Sequence, residues 1–228
     1  MAYNYLSLIN SINRRVNEVE LTSSNFDIAD GFYADAKESV NASIRNINQQ
    51  EYEWPFNHVE AHEDLTAGIA RYQLPYDTKT VDFESFRIKR NSTFNNPTKK
   101  LTPKTYEEYL DKGIDHEYNS DTGIRQLPRQ VIQAPSQEFI VYPVPDKNYE
   151  LVYEYYSLPV DLELYSDVPT IPEQFKHVIV DGAMFYVHMF REDEQAAQLY
   201  QQKFTQGINY MRSIYINRYR DIRDTRIS

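Results

Sequence analysis

The sequence PEQFKHVIVDGAMFYVHMF at residues 172–190, followed by AAQLYQQKFTQGINYMRSIY at residues 196–215, carries the strongest structural signal in this chain. In both stretches apolar side chains recur at steps of three and four residues, as on one face of an amphipathic helix. The polar residues 191–194 between them predict a turn, so we predict a C-terminal helical hairpin. Its apolar residues are Phe175, Val178, Ile179, Gly182, Tyr186, Met189, Phe190, Ala197, Tyr200, Phe204, Ile208, Met211 and Tyr215.

The first helix of the hairpin carries two further signals. Pro172 has no N–H to lose and suits the first helical position, and Thr170 just before it can cap the helix. Gly182 lies within the apolar face, where the missing side chain allows another backbone to come close. No residue type in the hairpin indicates catalysis, so we expect it to act by packing.

Two more amphipathic helices are predicted near the N-terminus. The first spans residues 4–18 with Asn4 as its cap. The second starts at a capping box of Ser24 and Asp27 and ends near residue 52. Because each of these helices has an apolar stripe to bury, we predict that the two ends of the chain form one four-helix bundle. The predicted bundle core includes Trp54, Phe56, Phe175, Ile179, Gly182, Tyr186, Phe204 and Ile208.

Between the helical ends, the sequence changes to short alternating runs separated by prolines and turn residues. Strands in one contiguous block joined by short turns predict an antiparallel sheet. The predicted fold class is α+β, in which the N- and C-terminal helices form a four-helix bundle with an inserted antiparallel β-domain and an extended C-terminal arm. The predicted domains are the bundle at 1–57 and 160–215, the β-domain at 58–159 and the arm at 216–228.

The composition indicates a protein that works through contact surfaces. Of its 228 residues 41% are hydrophobic, and they include 20 Tyr, whose large ring and hydroxyl suit surfaces that become buried against other subunits. A net charge of −10 disfavours non-specific gripping of DNA by the chain as a whole. The absence of cysteine excludes disulfides and leaves the redox compartment open. No apolar run approaches the ~20 residues that span a bilayer, and the N-terminus lacks a secretory signal, so we expect an intracellular product.

His58 and His62 raise the question of a metal site. On a helix they would share a face, with Glu60 and Glu63 nearby. Pro55 and the surrounding polar residues favour a loop instead, and no third ligand completes a known motif. We therefore expect no metal and no cofactor. We also expect no catalytic residues, because there is no nucleophile elbow and the carboxylate clusters fit exposed positions.

Basic residues of the predicted β-domain form a candidate patch for a partner or for nucleic acid. They are interleaved with aromatic residues, as in proteins that bind single strands. A sheet edge protected by charge, or a docking surface for an acidic partner, would give the same pattern. The residues of this patch are Arg87, Lys89, Arg90, Lys99, Lys100 and Lys104.

The C-terminal arm, residues 216–228, is locally basic on an acidic chain, with four Arg against two Asp. Its alternating pattern is compatible with a strand or an extended segment. A segment that orders on binding can wrap a partner at the cost of conformational entropy. The candidate contact residues of the arm are Arg218, Tyr219, Arg220, Ile222, Arg223, Arg226 and Ile227.

Four segments, in order along most of the chain, carry a resemblance to a known family. They are INQQEYEWPF at 47–56, YQLPYD at 72–77, FIVYPVPDKNYEL at 139–151 and DVPTIPEQFKHVIV at 167–180. In this order they resemble the head-to-tail adaptor, or connector, proteins of short-tailed bacteriophages, of the tail tubular protein A type. The resemblance implies the same layout, a helical bundle from both termini with an inserted β-domain.

The resemblance also implies a role. A protein of this type is a structural virion protein that forms a ring, here a dodecamer, below the portal protein. It contacts a tail nozzle or tube protein and, in some members, tail fibres, and its C-terminal segment, here 216–228, grips the portal. It is made in the host cytoplasm and resides in the neck of the virion, away from any membrane. DNA passes through its channel during ejection without sequence-specific binding.

Two other functions stay open at this point. One is a nucleic-acid-binding virion or packaging accessory protein that uses the basic patch, and the other is a carbohydrate-active tail enzyme. Under the adaptor hypothesis, we expect the bundle to carry the ring-forming and portal-facing contacts. The β-domain would then face outward or away from the portal, and the protein would be a monomer before assembly.

Overall fold

A computed structural model describes residues 3–89, 98–119 and 121–216. Within these residues the chain forms six α-helices and eight strands in two sheets, which confirms the mixed α+β class. The helices are α1 Tyr5–Arg15, α2 Phe32–Gln49, α3 Tyr106–Lys112, α4 Ile114–Tyr118, α5 Lys176–Phe190 and α6 Glu194–Tyr215. The strands are β1 His58–Leu65, β2 Arg71–Gln73, β3 Thr78–Ile88, β4 Lys99–Lys100, β5 Thr102–Lys104, β6 Gln130–Ala134, β7 Glu138–Tyr142 and β8 Tyr149–Ser157.

The chain divides into two compact units. The β unit is His58–Ser157, and the helical unit consists of the flanking segments, up to Asn57 and from Leu158 onward. Each unit has its own buried apolar clusters. Among the described residues, none of the helices combines the length and apolar character needed to cross a membrane.

Helix α1 begins as the sequence predicts. The Asn4 side chain accepts a hydrogen bond from the Ser7 backbone N–H at 3.0 Å, and the Ser7 hydroxyl bonds back to Asn4, so the first turn has a complete capping box. Leu8, Ile9 and Ile12 on the inner face are fully buried. The helix ends at Arg15, three residues earlier than predicted, with Val16 as its C-cap.

Helix α2 begins later than predicted, and the capping box of Ser24 and Asp27 is wrong. The Asn25 side chain instead accepts from the Thr22 backbone N–H at 2.6 Å, which stabilises a turn. The N-cap of α2 is Gly31, whose positive φ of 64° breaks the path into the helix. The polar side chains around Ser24 therefore stabilise a local turn and do not cap the helix.

Helix α5 is the centre of the helical unit, since α1, α2 and α6 all pack against it. One continuous core contains side chains from these four helices. The buried residues of α5 lie on all sides of the helix rather than on the single predicted face: Val178, Ile179, Val180, Gly182, Ala183, Met184 and Val187. Met189 and Phe190, predicted to continue the buried face, are both more than half exposed because α5 ends there.

The start of α5 also differs from the prediction. Pro172 precedes a single 3₁₀ turn, Glu173–Phe175, and the α-helix itself begins at Lys176. The Thr170 hydroxyl donates to the Asn57 side chain at 3.1 Å and does not cap the helix. This bond joins the two chain segments of the helical unit where α5 begins.

Gly182 is required by side chains and not, as predicted, by a neighbouring backbone. A Cβ atom at this position would overlap the Ser43 hydroxyl and would lie 2.5 Å from the Phe204 ring. Ser43 in turn donates to the carbonyl of Ile179 at 2.9 Å. The glycine thus lets α2 and α6 both approach α5 at the same level.

The remaining residues predicted for the core differ in depth. Trp54, Phe175, Ile179, Phe204 and Ile208 are buried, whereas Phe56 and Tyr186 are only partly buried. The Trp54 indole donates to the Ile47 carbonyl at 2.8 Å and stacks on Phe56 with ring centroids 5.3 Å apart. These contacts close the end of α2 after the helix stops.

The β unit contains two four-stranded sheets. Sheet A has the order β1-β8-β3-β4 and is antiparallel throughout, and sheet B has the order β2-β7-β6-β5. In sheet B β5 runs parallel to β6, which corrects the prediction of a purely antiparallel domain. The register of β3 on β8 shifts between Asp82 and Arg87, as at a β-bulge.

Strand β1 is the main element that the sequence did not predict. Its residues alternate between exposed and partly buried positions, and it pairs with β8 along its whole length. The strand was predicted as a loop because its inward positions include small or charged residues, Ala61 and Glu63, rather than large apolar ones. Residues 58–65 form a strand because they pair with the apolar strand β8 along its whole length.

The two sheets of the β unit differ in how they are covered. The inner faces of sheets A and B share one apolar cluster that includes Phe86, Phe139 and Tyr153. The other face of sheet B is covered by α3 through a second cluster that includes Tyr109 and Ile132. Glu150 and Glu154 alternate with buried β8 residues and lie on the outer face of sheet A. That outer face is therefore the charged surface of the unit.

Candidate interaction surfaces

The outer face of sheet A carries a network of histidines and carboxylates. His58 Nε2 lies 3.2 Å from a carboxylate oxygen of Glu154. His62 lies between two carboxylates, with Nδ1 3.3 Å from Glu150 and Nε2 3.1 Å from Glu60. All of these side chains are at least partly exposed. The network is a solvent-facing polar surface, not a closed site.

The strand geometry keeps the two histidines apart. On a strand, residues four apart are separated by about 13 Å, so His58 and His62 share a face but cannot share one ion. Each imidazole already has a carboxylate partner. In the part of the chain that the structure describes, no three His, Cys, Asp or Glu side chains are grouped so that they could hold a metal ion.

The predicted basic patch is spread over β3 and the edge strand β4 of sheet A and over the edge strand β5 of sheet B. Lys89 Nζ lies 2.7 Å from Glu150, and the hydrogen bond from Lys89 holds the pKa of Glu150 below its ordinary value. Lys100 Nζ lies 2.5 Å from Glu84. Three of the five described members of the patch, these two and Lys104, therefore have carboxylate partners, which reduces the positive field available to a phosphate.

The remaining members of the patch are placed differently. Arg87 pairs with Lys100 in the strand register and donates from Nε to the Ser85 carbonyl at 2.8 Å. Lys99 pairs with Ile88 at the end of β3. Arg90 lies outside the described residues. The structure thus brings the described basic residues to neighbouring strand edges, with acidic residues interleaved among them.

Two clefts flank α3 next to this patch. Their volumes are about 330 and 620 Å³, and Lys104 and Glu108 line both of them. Lys104 Nζ and a carboxylate oxygen of Glu108, four residues later, form an ion pair at 3.1 Å. Tyr106 and Tyr109 contribute aromatic walls. The rest of the linings mixes polar residues such as Gln130 and Gln133 with apolar ones such as Ile132.

A polar network that sequence reasoning missed fixes α3 and α4 onto sheet B. Arg71 makes two bonds to the Glu117 carboxylate, at 2.5 and 3.1 Å, and the Tyr109 hydroxyl donates to the same carboxylate at 2.6 Å. Partial burial alone would raise the pKa of Glu117, but the hydrogen bonds from Arg71 and Tyr109 outweigh it and hold that pKa below its ordinary value. The sequence separation of 46 residues leaves no local pattern from which to find this pair.

The C-terminal arm starts from a rigid base. The Tyr215 ring packs against Phe175 and Phe56, with centroids 5.6 and 6.1 Å apart. Ile216 caps α6 through a backbone bond to Arg212 at 2.9 Å. The seven contact residues predicted for the arm, Arg218 to Ile227, lie outside the described residues.

Comparison with known proteins places the chain in a family. A search of curated protein sequences found no significant match. The model of a family described as "SU10 adaptor protein" matches residues 3–226, nearly the whole chain. This confirms the phage adaptor part of the resemblance, while the tail tubular protein A type stays a prediction. The chain therefore belongs to the SU10 adaptor protein family, a family of structural phage proteins.

Proposed function

We propose that this protein is a non-enzymatic head-to-tail adaptor that assembles as a ring, a dodecamer, between the portal and the tail in the neck of the virion. The observation that carries the proposal is the family match over residues 3–226, which spans both units and not one motif. In this role the ring encloses part of the channel through which DNA is ejected.

The helical unit is the proposed ring-forming and portal-facing part. Its four long helices share one core, so its surface is rigid enough to repeat around a ring. Residues 216–228 follow directly after the aromatic base at Tyr215. Four arginines and several apolar residues on this arm suit a portal surface that is acidic and partly apolar.

The β unit is the proposed site of contacts to the tail nozzle or tube protein and, where fibres attach, to fibres. Its outer surface is built from ion pairs and clefts, and such polar surfaces suit contacts whose partner varies. The unit is expected to face outward or away from the portal.

The handling of DNA follows from charge. With a net charge of −10 the protein repels phosphate, so DNA can pass through a ring without being held. The alternative, a nucleic-acid-binding accessory protein, needs unpaired cations, but Lys89, Lys100 and Lys104 each have a carboxylate partner. Salt-resistant DNA binding that is lost on neutralising Lys99, Lys100 and Lys104 would favour that alternative.

The test of the proposal is deletion of the arm. A chain ending at Ile216 keeps the residue that caps α6 and packs against the core, so it should retain the melting temperature of the full chain, but it should no longer co-sediment with purified portal. A matched variant with the four arm arginines changed to Gln separates charge from length. If the shortened protein binds portal as well as the full chain does, the proposed role of the arm is wrong.

A further inference from the structure

One irregular segment of the helical unit exposes an unusual number of apolar side chains. This segment, residues 158–171, joins β8 to α5 and is called the strap here. Val160 is 71% exposed and Val168 60% exposed, and three further apolar side chains are exposed as well. Single exposed apolar residues are common, but several within eleven residues form a patch. The exposed apolar residues of the strap are Leu158, Val160, Leu164, Tyr165 and Val168.

The strap is held in place by bonds to α1 and α2. The backbone N–H groups of Tyr5 and Leu6 donate to the strap carbonyls of Asp167 and Tyr165, at 2.7 and 3.1 Å. The buried Asn41 side chain makes two bonds of 3.0 Å, one to the N–H and one to the carbonyl of Leu162. The apolar side chains are therefore presented in a fixed geometry, which lowers the entropy lost when a partner binds.

The strap is also acidic. It contains Asp161, Glu163 and Asp167 and has no Lys or Arg. The neighbouring Arg45 pairs with Asp161 at 2.6 Å and also with Glu38, so it neutralises only part of this charge. A complementary surface should thus be apolar and free of carboxylates.

The outer face of α6 has these properties. Leu199 and Tyr210 are eleven residues apart, almost exactly three turns, so they lie on one face about 16 Å apart. Both are more than half exposed. Between residues 195 and 216 the sequence contains no Asp or Glu, and Lys203 adds a positive charge to this face. The exposed residues of the face are Leu199, Gln202, Lys203, Gln206, Tyr210 and Ser213.

The strap and the outer face of α6 are separate surfaces of the helical unit, although the Tyr210 ring contacts Phe175, four residues beyond the strap. The strap bonds to α1 and α2, whereas α6 packs along α5. A copy can therefore use its strap on one neighbour while its α6 receives the strap of another. Such a head-to-tail contact is heterologous, and it closes into a ring when the rotation between copies permits.

We propose that the strap of one copy docks on the outer face of α6 of the next copy. The inference rests on the proposed ring and names the surfaces that would form it. The occupant is a second copy of this chain because the two surfaces complement each other in apolar character and in charge. The portal and the tail proteins are the competing occupants.

Site-specific cross-linking tests this contact, because the chain has no cysteine of its own. Leu164→Cys marks the middle of the strap and Gln206→Cys the middle of the α6 face. Both positions are exposed, so both variants should fold. Each full-length single variant, and their equal mixture, would be assembled on purified portal and treated with a short bis-maleimide. The expected result is a cross-linked dimer in the mixture alone, and a ladder of oligomers from the double variant.

The controls and the contrary outcomes are distinct. A double variant with Val19→Cys in place of Leu164→Cys should give no ladder, and Lys203→Glu should weaken assembly about tenfold. Dimers of Leu164→Cys alone would indicate a two-fold contact, and cross-links to portal would indicate a different occupant; either result overturns the proposal. Portal binding without any ladder also overturns it while leaving the proposed function intact. Failure of the unmodified protein to associate with portal would instead overturn the function and this contact together.

Discussion

The helical unit and the β unit are stabilised in different ways. In the helical unit, one continuous core surrounds α5, and its exposed surface includes apolar patches. In the β unit, the buried residues are divided between the two sides of sheet B, and carboxylates paired with Lys, Arg or His lie around them. Apolar patches favour contacts that persist once made, and ion pairs favour contacts that can be exchanged.

Buried asparagines add a second contrast. In the helical unit, Asn10 makes two bonds of 2.8 Å to the backbone of Leu21, and Asn41 binds Leu162 in the same way. Each asparagine satisfies both backbone groups of a leucine that an irregular segment inserts into the core. The β unit fixes its α3–α4 segment with the charged pair Arg71 and Glu117 instead. The helical unit should therefore be the more sensitive to changes in packing, whereas protonation of Glu117 should affect the β unit.

The largest effect is expected from Gly182→Val. The new side chain would overlap Ser43 and the Phe204 ring, and overpacking of this kind costs about 3 kcal/mol of unfolding free energy. Trp54 is the single tryptophan and is buried in the helical unit, so its fluorescence during urea unfolding reports on that unit. Gln198→Ala on an exposed position of α6 is the control and should be neutral. An unchanged midpoint for Gly182→Val would contradict the described packing.

A somewhat smaller effect is expected from Asn41→Ala. The change leaves the buried N–H and carbonyl of Leu162 without partners, which costs about 2 kcal/mol. The loss should be read from the same Trp54 fluorescence, with Asn209→Ala as an exposed control. Hydrogen exchange of the strap should also become faster. Loss of stability without faster exchange would mean that Asn41 does not hold the strap.

The β unit should lose stability in acid through Glu117. Its pKa is lowered in the folded protein from 4.5, so its contribution is present above about pH 4.5 and is lost as the pH falls through the lower folded value. Glu117→Gln should reduce the acid dependence of the β unit, to which Glu150 also contributes, and cost about 1–2 kcal/mol at neutral pH. Hydrogen exchange of β6 and β7 as a function of pH measures it. If the variant keeps the wild-type acid dependence, another group is responsible.

The smallest effect is expected from Lys100→Gln. The ion pair of Lys100 with Glu84 is solvent-exposed, so the change should alter the unfolding free energy by about 0.5 kcal/mol or less. The affinity of the variant for DNA should equal that of the unmodified protein, because Lys100 is already paired with Glu84. DNA binding would be measured by fluorescence anisotropy at moderate salt. A marked fall in affinity would show that the β unit binds nucleic acid through this lysine.

Local sequence signals predicted the elements whose structure depends on neighbouring residues alone. Asn4 capped α1 as predicted because capping depends on residues within one turn. The predictions were incomplete where contacts between distant elements determine burial or strand formation. The helical periodicity of α5 did not indicate burial on all sides, since that depends on how many helices pack against it. Strand β1 has too few large apolar residues to be recognised without its partner β8.

The candidate surfaces were predicted less completely. The sequence predicted the basic residues as a candidate patch but not the carboxylates paired with them, since Lys89 and its partner Glu150 lie 61 residues apart. By contrast, Lys104 and Glu108 are four residues apart. The network of Arg71, Tyr109 and Glu117 gave no local signal for the same reason. Charged side chains on neighbouring strands are paired by the register of the strands. A local sequence pattern does not show that register, so these pairs could not be predicted.

The adaptor role is tested most directly by native mass spectrometry of the full chain mixed with purified portal of the same phage. We expect one discrete complex in which twelve copies of this protein accompany each portal ring, while the protein alone stays monomeric. A protein that never associates with portal, at any mixing ratio, would rule out the adaptor role.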